Sequence, residues 1–378
     1  MKKRIAILGS TGSIGTYALQ VVRHLSDELC VTALAARGSS ELLESQAREF
    51  GVSLVALWDK DKAAALQKRL PGRVLGGMEG MCEIAAHAEY DTLLVAMNSA
   101  EAILPTLAAL ERGRTVALAS KEVLVAAGSL VMRLSKEKKA LLVPVDSEHT
   151  ALYQCMKGEK AEKVRRLIIT ASGGPFRSHT LEQLEKVTTA DALKHPNYRM
   201  GAKVTIDSST LMNKGLEMIE AHYLYNTPPE KIEIVIHPEQ VIHSMAEFID
   251  GSIMAQMSEP DMLPPIQYAL TYPERQRGML PPFDFCKKGA LHFLPVDTEK
   301  FRCLELAYQS LRIGGSMPCY MNAASEKLVA RFLNKEIHWL EIGRKLEQLM
   351  LTHRPEQAPD IEKILAIDAE ARQQASIV

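Results

Sequence analysis

The segment VPVDSEH, residues 143–149, closes an apolar run with four adjacent polar side chains, Asp146, Ser147, Glu148 and His149. Asp146 and Glu148 are one residue apart, so in an extended chain both carboxylates point the same way and together face one cation. Oxygen ligands of this kind suit Mg2+ or Mn2+, and two acids leave coordination positions open for a substrate. The same residues also read as a helix start with Ser147 as its cap. Cap and metal site are compatible, and these four residues alone do not choose between them.

A second polar concentration occupies 195–221, HPNYRMGAKVTIDSSTLMNKGLEMIEA. A helix beginning near Ser208 would bury Met212, Leu216, Ile219 and Tyr223 as one stripe, with Asn213, Lys214 and Glu217 clustered on the neighbouring face. A core accounts for the stripe but not for the cluster. Ser208 and Ser209 at the helix start, with Asn213 and Lys214 a turn on, make a phosphate site, and Glu217 offers a third metal carboxylate. The bland alternative is an exposed Lys214–Glu217 ion pair. ASGGPF, 171–176, follows an apolar strand; its glycines let backbone approach a ligand, and Ser172 is placed to donate to the same phosphate. His195 sits on a Pro- and Gly-bearing loop, together with Tyr198 and Met200, that has the character of a mobile lid.

Near the N-terminus, GSTGSIG places Gly9, Gly12 and Gly15 between a short apolar strand at 4–8 and a helix whose Ile14, Ala18, Val21, Val22 and Leu25 share one face. Such a turn lets backbone amides approach a pyrophosphate while the helix N-terminus supplies partial positive charge; a tight turn without a ligand is the alternative. An NAD site would end its second strand in an acid. Here that strand ends AARGSS, and Arg37 with Ser39 and Ser40 suits a 2′-phosphate, hence NADP. A solvated arginine at a strand end is the other reading.

The elements that must carry these groups follow from periodicity. Apolar strands at 31–36, 54–57, 92–96, 115–119 and 141–145 alternate with helical segments, the signature of a mostly parallel sheet covered on both faces. After Asp146 the texture changes: strands at 167–170 and 232–237 lead to EFIDGSIMAQ, a hairpin turning at Asp250-Gly251. PPFDFCKKGALHFLPVD reads as a connector, and helices follow, with Ile342, Leu346, Leu349 and Met350 on one stripe and another start at Pro359-Asp360. The expected fold is therefore α/β, with an N-terminal Rossmann-like doubly wound parallel sheet, a central α+β domain and a helical C-terminal region. With 45 basic and 46 acidic residues among 378 and no long run of one sign, neither nucleic acid nor a membrane is the expected partner. The opening apolar stretch is too short for a signal peptide, and six scattered cysteines without a CxxC pair fit reduced thiols in a cytosolic enzyme.

Taken in order, GSTGSIG, the SKE of 120–122, PVDSEH, TASGGPF, HPNYRMG with DSSTLMNKGLE, and IHSMAEFIDGSIMAQMSEPDM resemble the 1-deoxy-D-xylulose 5-phosphate reductoisomerase family over nearly the whole chain. The resemblance implies an NADPH domain at 1–146, a catalytic and dimer-forming domain at 147–278, a connector at 279–298 and a helical domain at 299–378. It implies Mg2+ or Mn2+ on Asp146, Glu148 and Glu217, and substrate on Lys121, Ser147, Glu148, Ser172, His195, Ser208, Asn213, Lys214 and Glu217. Lys121, Glu148 and His195 would share the catalytic work. NADPH would contact Thr11, Gly12, Ser13, Ile14, Arg37, Gly38, Ser39, Ser120, Glu122, Met200 and Gly201. The implied reaction rearranges a phosphorylated sugar by retro-aldol and aldol steps and then reduces the branched aldehyde to 2-C-methyl-D-erythritol 4-phosphate, in non-mevalonate isoprenoid precursor synthesis. A homodimer in the cytoplasm is expected, or in a plastid stroma were the source eukaryotic. The chain departs from the family at Ser120, where Asn is common, at Tyr198, where Trp is common, and at Arg37, where ungapped matching puts Gly; VAMNSAEA also lacks an expected glycine. The competing readings are a plain NADP-dependent dehydrogenase, which needs neither metal nor phosphate pocket, and a non-catalytic NADP sensor, which would lose the acids.

Overall fold

The computed structural model describes residues 1–97, 100–197, 200–357 and 359–378. Seven short strands, β1 (Lys3–Leu8), β2 (Leu29–Ala36), β3 (Leu54–Leu57), β4 (Arg73–Gly76), β5 (Thr92–Val95), β6 (Val116–Leu118) and β7 (Leu142–Pro144), form one parallel sheet in the order β4-β3-β2-β1-β5-β6-β7. Their sequences are almost purely apolar because helices cover both faces: Ile5, Ile7, Leu34, Val55, Leu57 and Leu94 are fully buried. Truncating any one of these to Ala would cost about 2 to 5 kcal/mol. The chain runs outward from β1 to β4, returns, and runs out the other way from β5, so the topological switch lies between β1 and β5. Ligands of doubly wound sheets bind at the carboxyl ends of such strands. The four-residue β4 is a strand the periodicity did not announce.

The chain divides into two compact units. The first comprises Met1–Val123, Val131–Thr150 and Asp261–Pro282. Its last segment forms the helix Leu263–Thr271, whose Ile266, Ala269 and Leu270 join the core of the first sheet beside the helix Ser13–His24.

The second unit comprises Leu124–Leu130, Ala151–Pro260 and Phe283–Val378. It holds a four-stranded sheet of β8 (Val164–Ala171), β9 (Ile232–Ile236), β10 (Ile242–Phe248) and β11 (Ile253–Met257), ordered β11-β10-β8-β9. β10 and β11 form the antiparallel hairpin expected at Asp250-Gly251, where Gly251 takes φ +86°, a conformation glycine reaches without strain. β8 pairs antiparallel with β10 and parallel with β9. The connector is not structureless, since it carries the one-turn helix Phe285–Lys288 and an antiparallel bridge from Leu294 to Ile236. Four helices close the chain: Arg302–Ile313, Met317–Leu333, Trp339–Thr352 and Ile361–Ile377. The first packs on the helix Met212–Tyr225 so closely that a Cβ on Gly215 would lie 2.5 Å from that of Ala307.

The expectation of one helix from Ser208 is corrected. Two helices stand there, Ala202–Ser209 and Met212–Tyr225, broken where Leu211 takes a left-handed φ of 59°. The buried stripe survives in Met212, Leu216 and Ile219. All six cysteines are free, and among the described residues no helix is long and apolar enough to cross a membrane.

Candidate active site

The glycine loop sits at the switch point of the first sheet. Gly9, at φ +90°, has no room for a side chain, because a Cβ would lie 2.1 Å from the Ala96 carbonyl oxygen after β5. Gly15 is equally confined, its Cβ falling 2.2 Å from the Gly9 carbonyl. Gly12 then caps the helix Ser13–His24 with no side-chain hydrogen bond and no acid in the first turn, so the first-turn amides are left for an outside acceptor. Thr11, Gly12, Ser13 and Ile14 line this start, and none is fully buried. A diphosphate fits the loop because backbone, rather than side chains, forms its wall.

At the end of β2, Arg37 is 74% exposed along its side chain and bonds Glu101 at 3.2 Å. Gly38 and Ser39 follow it, and Ser39 precedes the helix Ser40–Phe50 without spending its hydroxyl on a cap. Ser120 is buried, and its hydroxyl donates to the Met97 carbonyl. Glu122 opens the helix Glu122–Lys138. Met200 and Gly201 precede the helix Ala202–Ser209, while Tyr198 lies outside the described residues.

At the end of β7 the chain does not stay extended, which corrects the same-side argument for Asp146 and Glu148. Ser147 already begins the helix Ser147–Cys155. Asp146, and not Ser147, takes the capping role: its carboxylate accepts the Glu148 N–H at 3.2 Å and its carbonyl accepts the Thr150 N–H at 2.8 Å. Lys121 holds the other carboxylate oxygen at 2.5 Å with both side chains largely buried, and the Ser147 hydroxyl donates to Glu148. Cap and cation partner are thus combined in one aspartate.

Among the described residues the acids that could hold a metal ion are Asp146 and Glu148 in the first unit and Glu217 in the second. Glu148 is 7% and Glu217 1% exposed. Carboxylates taken this far from water need cationic or hydrogen-bonding partners, and hard oxygen donors suit Mg2+ or Mn2+.

On the helix Met212–Tyr225, Glu217 accepts from Lys214 at 2.7 Å and from Asn213 at 2.5 Å. Lys214 is 6% exposed, so the reading of an exposed ion pair is overturned. Ser208 lies in the last turn of the preceding helix and is also buried. Beyond β8, Gly174 at φ +65° is seated against this helix end, where a Cβ would lie 2.6 Å from the Ser208 carbonyl oxygen. That contact brings Ser172 and Ser208 to one place. The Ser172 hydroxyl oxygen lies 3.1 Å from His195 Nε2 and accepts the Gly174 N–H at 3.1 Å. His195 Nδ1 accepts the Asn197 N–H, which puts the neutral ring's proton on Nε2, facing Ser172. With two donors already on its oxygen, Ser172 has its own proton free to give to a ligand oxygen. An open cleft of about 560 Å³ beside this turn is lined by Arg177, His179, Lys186 and Lys194 with a single acid, Asp191, a setting suited to an anionic ligand.

Burial, with Lys214 as the second cause, lowers His195 to about 4, so its ring is neutral at ordinary pH. His243, to which the sequence analysis assigns no role, is lowered to about 4 by the same two leading causes and bonds Ser258 at 2.8 Å. Sequence reasoning also missed Glu101 as the partner of Arg37 and Trp339, whose indole N–H reaches Ser209. Each is brought in from a distant element, and no local pattern marks it.

Comparison with known proteins agrees along the whole chain. Residues 5–128 match the model described as 1-deoxy-D-xylulose 5-phosphate reductoisomerase, 142–225 its C-terminal domain, and 257–374 a further DXP reductoisomerase C-terminal domain. A 1-deoxy-D-xylulose 5-phosphate reductoisomerase of Protochlamydia amoebophila is 53% identical over 375 residues, covering 99% of this chain and 98% of that protein. Its counterpart in Geobacillus kaustophilus is 48% identical, covering 98% of each. Among solved structures, the Zymomonas mobilis enzyme in complex with NADPH aligns with a TM-score of 0.94 and 39% identity, covering 100% of this chain and 98% of that one. A DOX-P reductoisomerase in complex with NADPH, fosmidomycin and magnesium aligns with a TM-score of 0.93 and 35% identity, covering 99% and 97%.

Proposed function

Because the chain belongs to the 1-deoxy-D-xylulose 5-phosphate reductoisomerase family, we propose that it converts 1-deoxy-D-xylulose 5-phosphate to 2-C-methyl-D-erythritol 4-phosphate, using NADPH and a divalent cation. The observation that supports the metal dependence is the set of acids Asp146, Glu148 and Glu217, of which the last two are withdrawn from water. These three would hold Mg2+ or Mn2+. When bound, the cation supplies a Lewis acid for charge developing on substrate oxygens, and NADPH supplies the reducing hydride.

The remaining roles are proposed for the other candidate side chains. Ser172, Ser208, Asn213 and Lys214 bind the substrate phosphate, with neutral His195 orienting Ser172. Remote binding energy from that phosphate can be spent on orienting the reacting carbons. Lys121, close to Asp146, holds or moves a proton at a substrate oxygen, and Glu148 with Ser147 is the second proton-handling pair. The glycine loop with Thr11, Gly12, Ser13 and Ile14 takes the dinucleotide diphosphate, and Arg37 with Gly38 and Ser39 its 2′-phosphate; Ser120, Glu122, Met200 and Gly201 are proposed as further dinucleotide contacts. The functional division into 1–146, 147–278, 279–298 and 299–378 is proposed on the same footing.

A homodimer in the cytoplasm is also proposed. The exposed edge strand β11 supports the dimer: Ile253 and Met254 are 52% and 53% exposed there, and an uncovered apolar edge invites pairing. A plain dehydrogenase requires neither the metal carboxylates nor a phosphate site, and the family membership does not favour it.

The test is incubation of the purified protein with 1-deoxy-D-xylulose 5-phosphate, NADPH and Mg2+ or Mn2+. One NADPH should be oxidised per 2-C-methyl-D-erythritol 4-phosphate formed. Undiminished NADPH oxidation after removal of all divalent metal would overturn the proposal.

A further inference from the structure

Ser172 and Ser208 come from segments that no strand ladder or common helix joins, yet a phosphate held by both needs their hydroxyls at a fixed separation. One side chain of the C-terminal helices touches both segments. Trp339, at the start of the helix Trp339–Thr352 and 4% exposed, donates its indole N–H to Ser209 Oγ at 2.9 Å. The same ring stands edge-on to Phe176, with centroids 5.4 Å apart at 87°, and to Phe301 on another side at 6.4 Å. Ser209 adjoins Ser208, and Phe176 lies four residues past Ser172. Between them, Gly174 rests on the Ser208 carbonyl and donates to Ser172 Oγ. The contacts close a ring that runs from Trp339 through Ser209, Ser208, Gly174 and Phe176 back to Trp339.

We propose that Trp339 is a positioning residue for phosphate recognition, setting the separation of Ser172 and Ser208 through its hydrogen bond to Ser209 and its contact with Phe176. The inference rests on the reading that those two serines hold the substrate phosphate. Ser209 is fully buried and also donates to the Ile206 carbonyl, so its oxygen accepts the indole N–H and joins this helix end to the helix that carries Trp339. An aromatic plane has few rotamers and transmits position with little slack, which is what a preorganised anion site requires. The helix that carries Trp339 keeps its own packing through Ile342, Leu346, Leu349 and Met350, so Trp339→Phe removes the hydrogen bond while leaving a ring in the core.

The experiment compares the full-length wild type with Trp339→Phe, Ser209→Ala and the double variant. It measures KM and kcat for the substrate, competitive inhibition by inorganic phosphate, and the Kd for NADPH. In Trp339→Phe the substrate KM and the phosphate inhibition constant should rise together by about 3- to 10-fold, the worth of one neutral hydrogen bond. The value of kcat should stay within about two-fold, and NADPH binding should not change, since uniform binding energy is what has been lost. Ser209→Ala should reproduce the loss, and the double variant should be no worse than either single one. Unchanged KM in Trp339→Phe, an equal loss of NADPH affinity, or effects that multiply in the double variant would each overturn the inference. Wild-type protein that neither turns over the substrate nor is inhibited by inorganic phosphate would instead overturn the functional reading on which it rests.

Discussion

Around the glycine loop the chain offers mainly backbone, with Gly9 and Gly15 packed against carbonyls and Arg37 out in solvent beside Glu101. Around Glu217 it offers side chains withdrawn from water, a glutamate and a lysine bonded to each other and both nearly inaccessible. The first arrangement depends on shape and tolerates change in its exposed charges, because solvent screens them. The second is intolerant, because removing either partner takes a counter-charge from a group held out of water. A substitution in the one region should therefore tune ligand choice, and in the other should abolish chemistry.

The sharpest break of this contrast is Glu217→Gln, which keeps shape and removes one negative charge. Turnover should fall by about two to three orders of magnitude, the scale of losing one electrostatic group at a reacting centre. Divalent-ion binding by titration calorimetry should weaken while NADPH affinity holds. Full activity in chelator-treated buffer would erase the distinction between the regions.

Next comes Lys214→Ala, which leaves Glu217 buried without its ammonium partner. About 3 to 5 kcal/mol of stability should be lost, read from urea unfolding. Substrate KM should climb with NADPH affinity preserved. Parallel loss of both affinities would mean the variant is simply misfolded.

Arg37→Ala should act more gently and only on cofactor choice. Its exposure puts the loss at the low end for a charged hydrogen bond, about 1.5 kcal/mol or roughly ten-fold in the ratio of kcat/KM for NADPH over NADH. An unchanged ratio would remove Arg37 from the cofactor site.

The smallest effect is in proton binding. His195 and His243 have folded pKa values near 4 against an ordinary 6.5, so between those values the unfolded chain binds more protons than the native one. Stability from keeping these rings neutral is complete above about pH 6.5 and declines as pH falls toward 4. Histidine ring resonances followed by NMR should stay neutral to about pH 4, and Lys214→Met should raise both midpoints by removing the second cause. Ordinary midpoints in the wild type would contradict the buried setting.

Much of the molecule was determined by the sequence alone, and for a physical reason. Strands buried on both faces must be nearly all apolar, so β1, β2, β3, β5, β6 and β7 announced themselves within a residue or two, and a glycine loop between strand and helix reads locally because its constraint is local. Asp250-Gly251 marked its hairpin in the same way. The four-residue β4 carried too little pattern to be noticed, and the break at Leu211 was hidden because a left-handed leucine has no sequence signature of its own. The acids were visible as Asp146, Glu148 and Glu217, but not their surroundings. That Asp146 bonds Lys121 and that Trp339 reaches Ser209 depend on segments far apart in the chain, and although Lys214 and Glu217 stand one helical turn apart, their burial is set by other elements. Only tertiary structure decides burial, and burial is what turns an ordinary surface ion pair into a group whose charge must be matched.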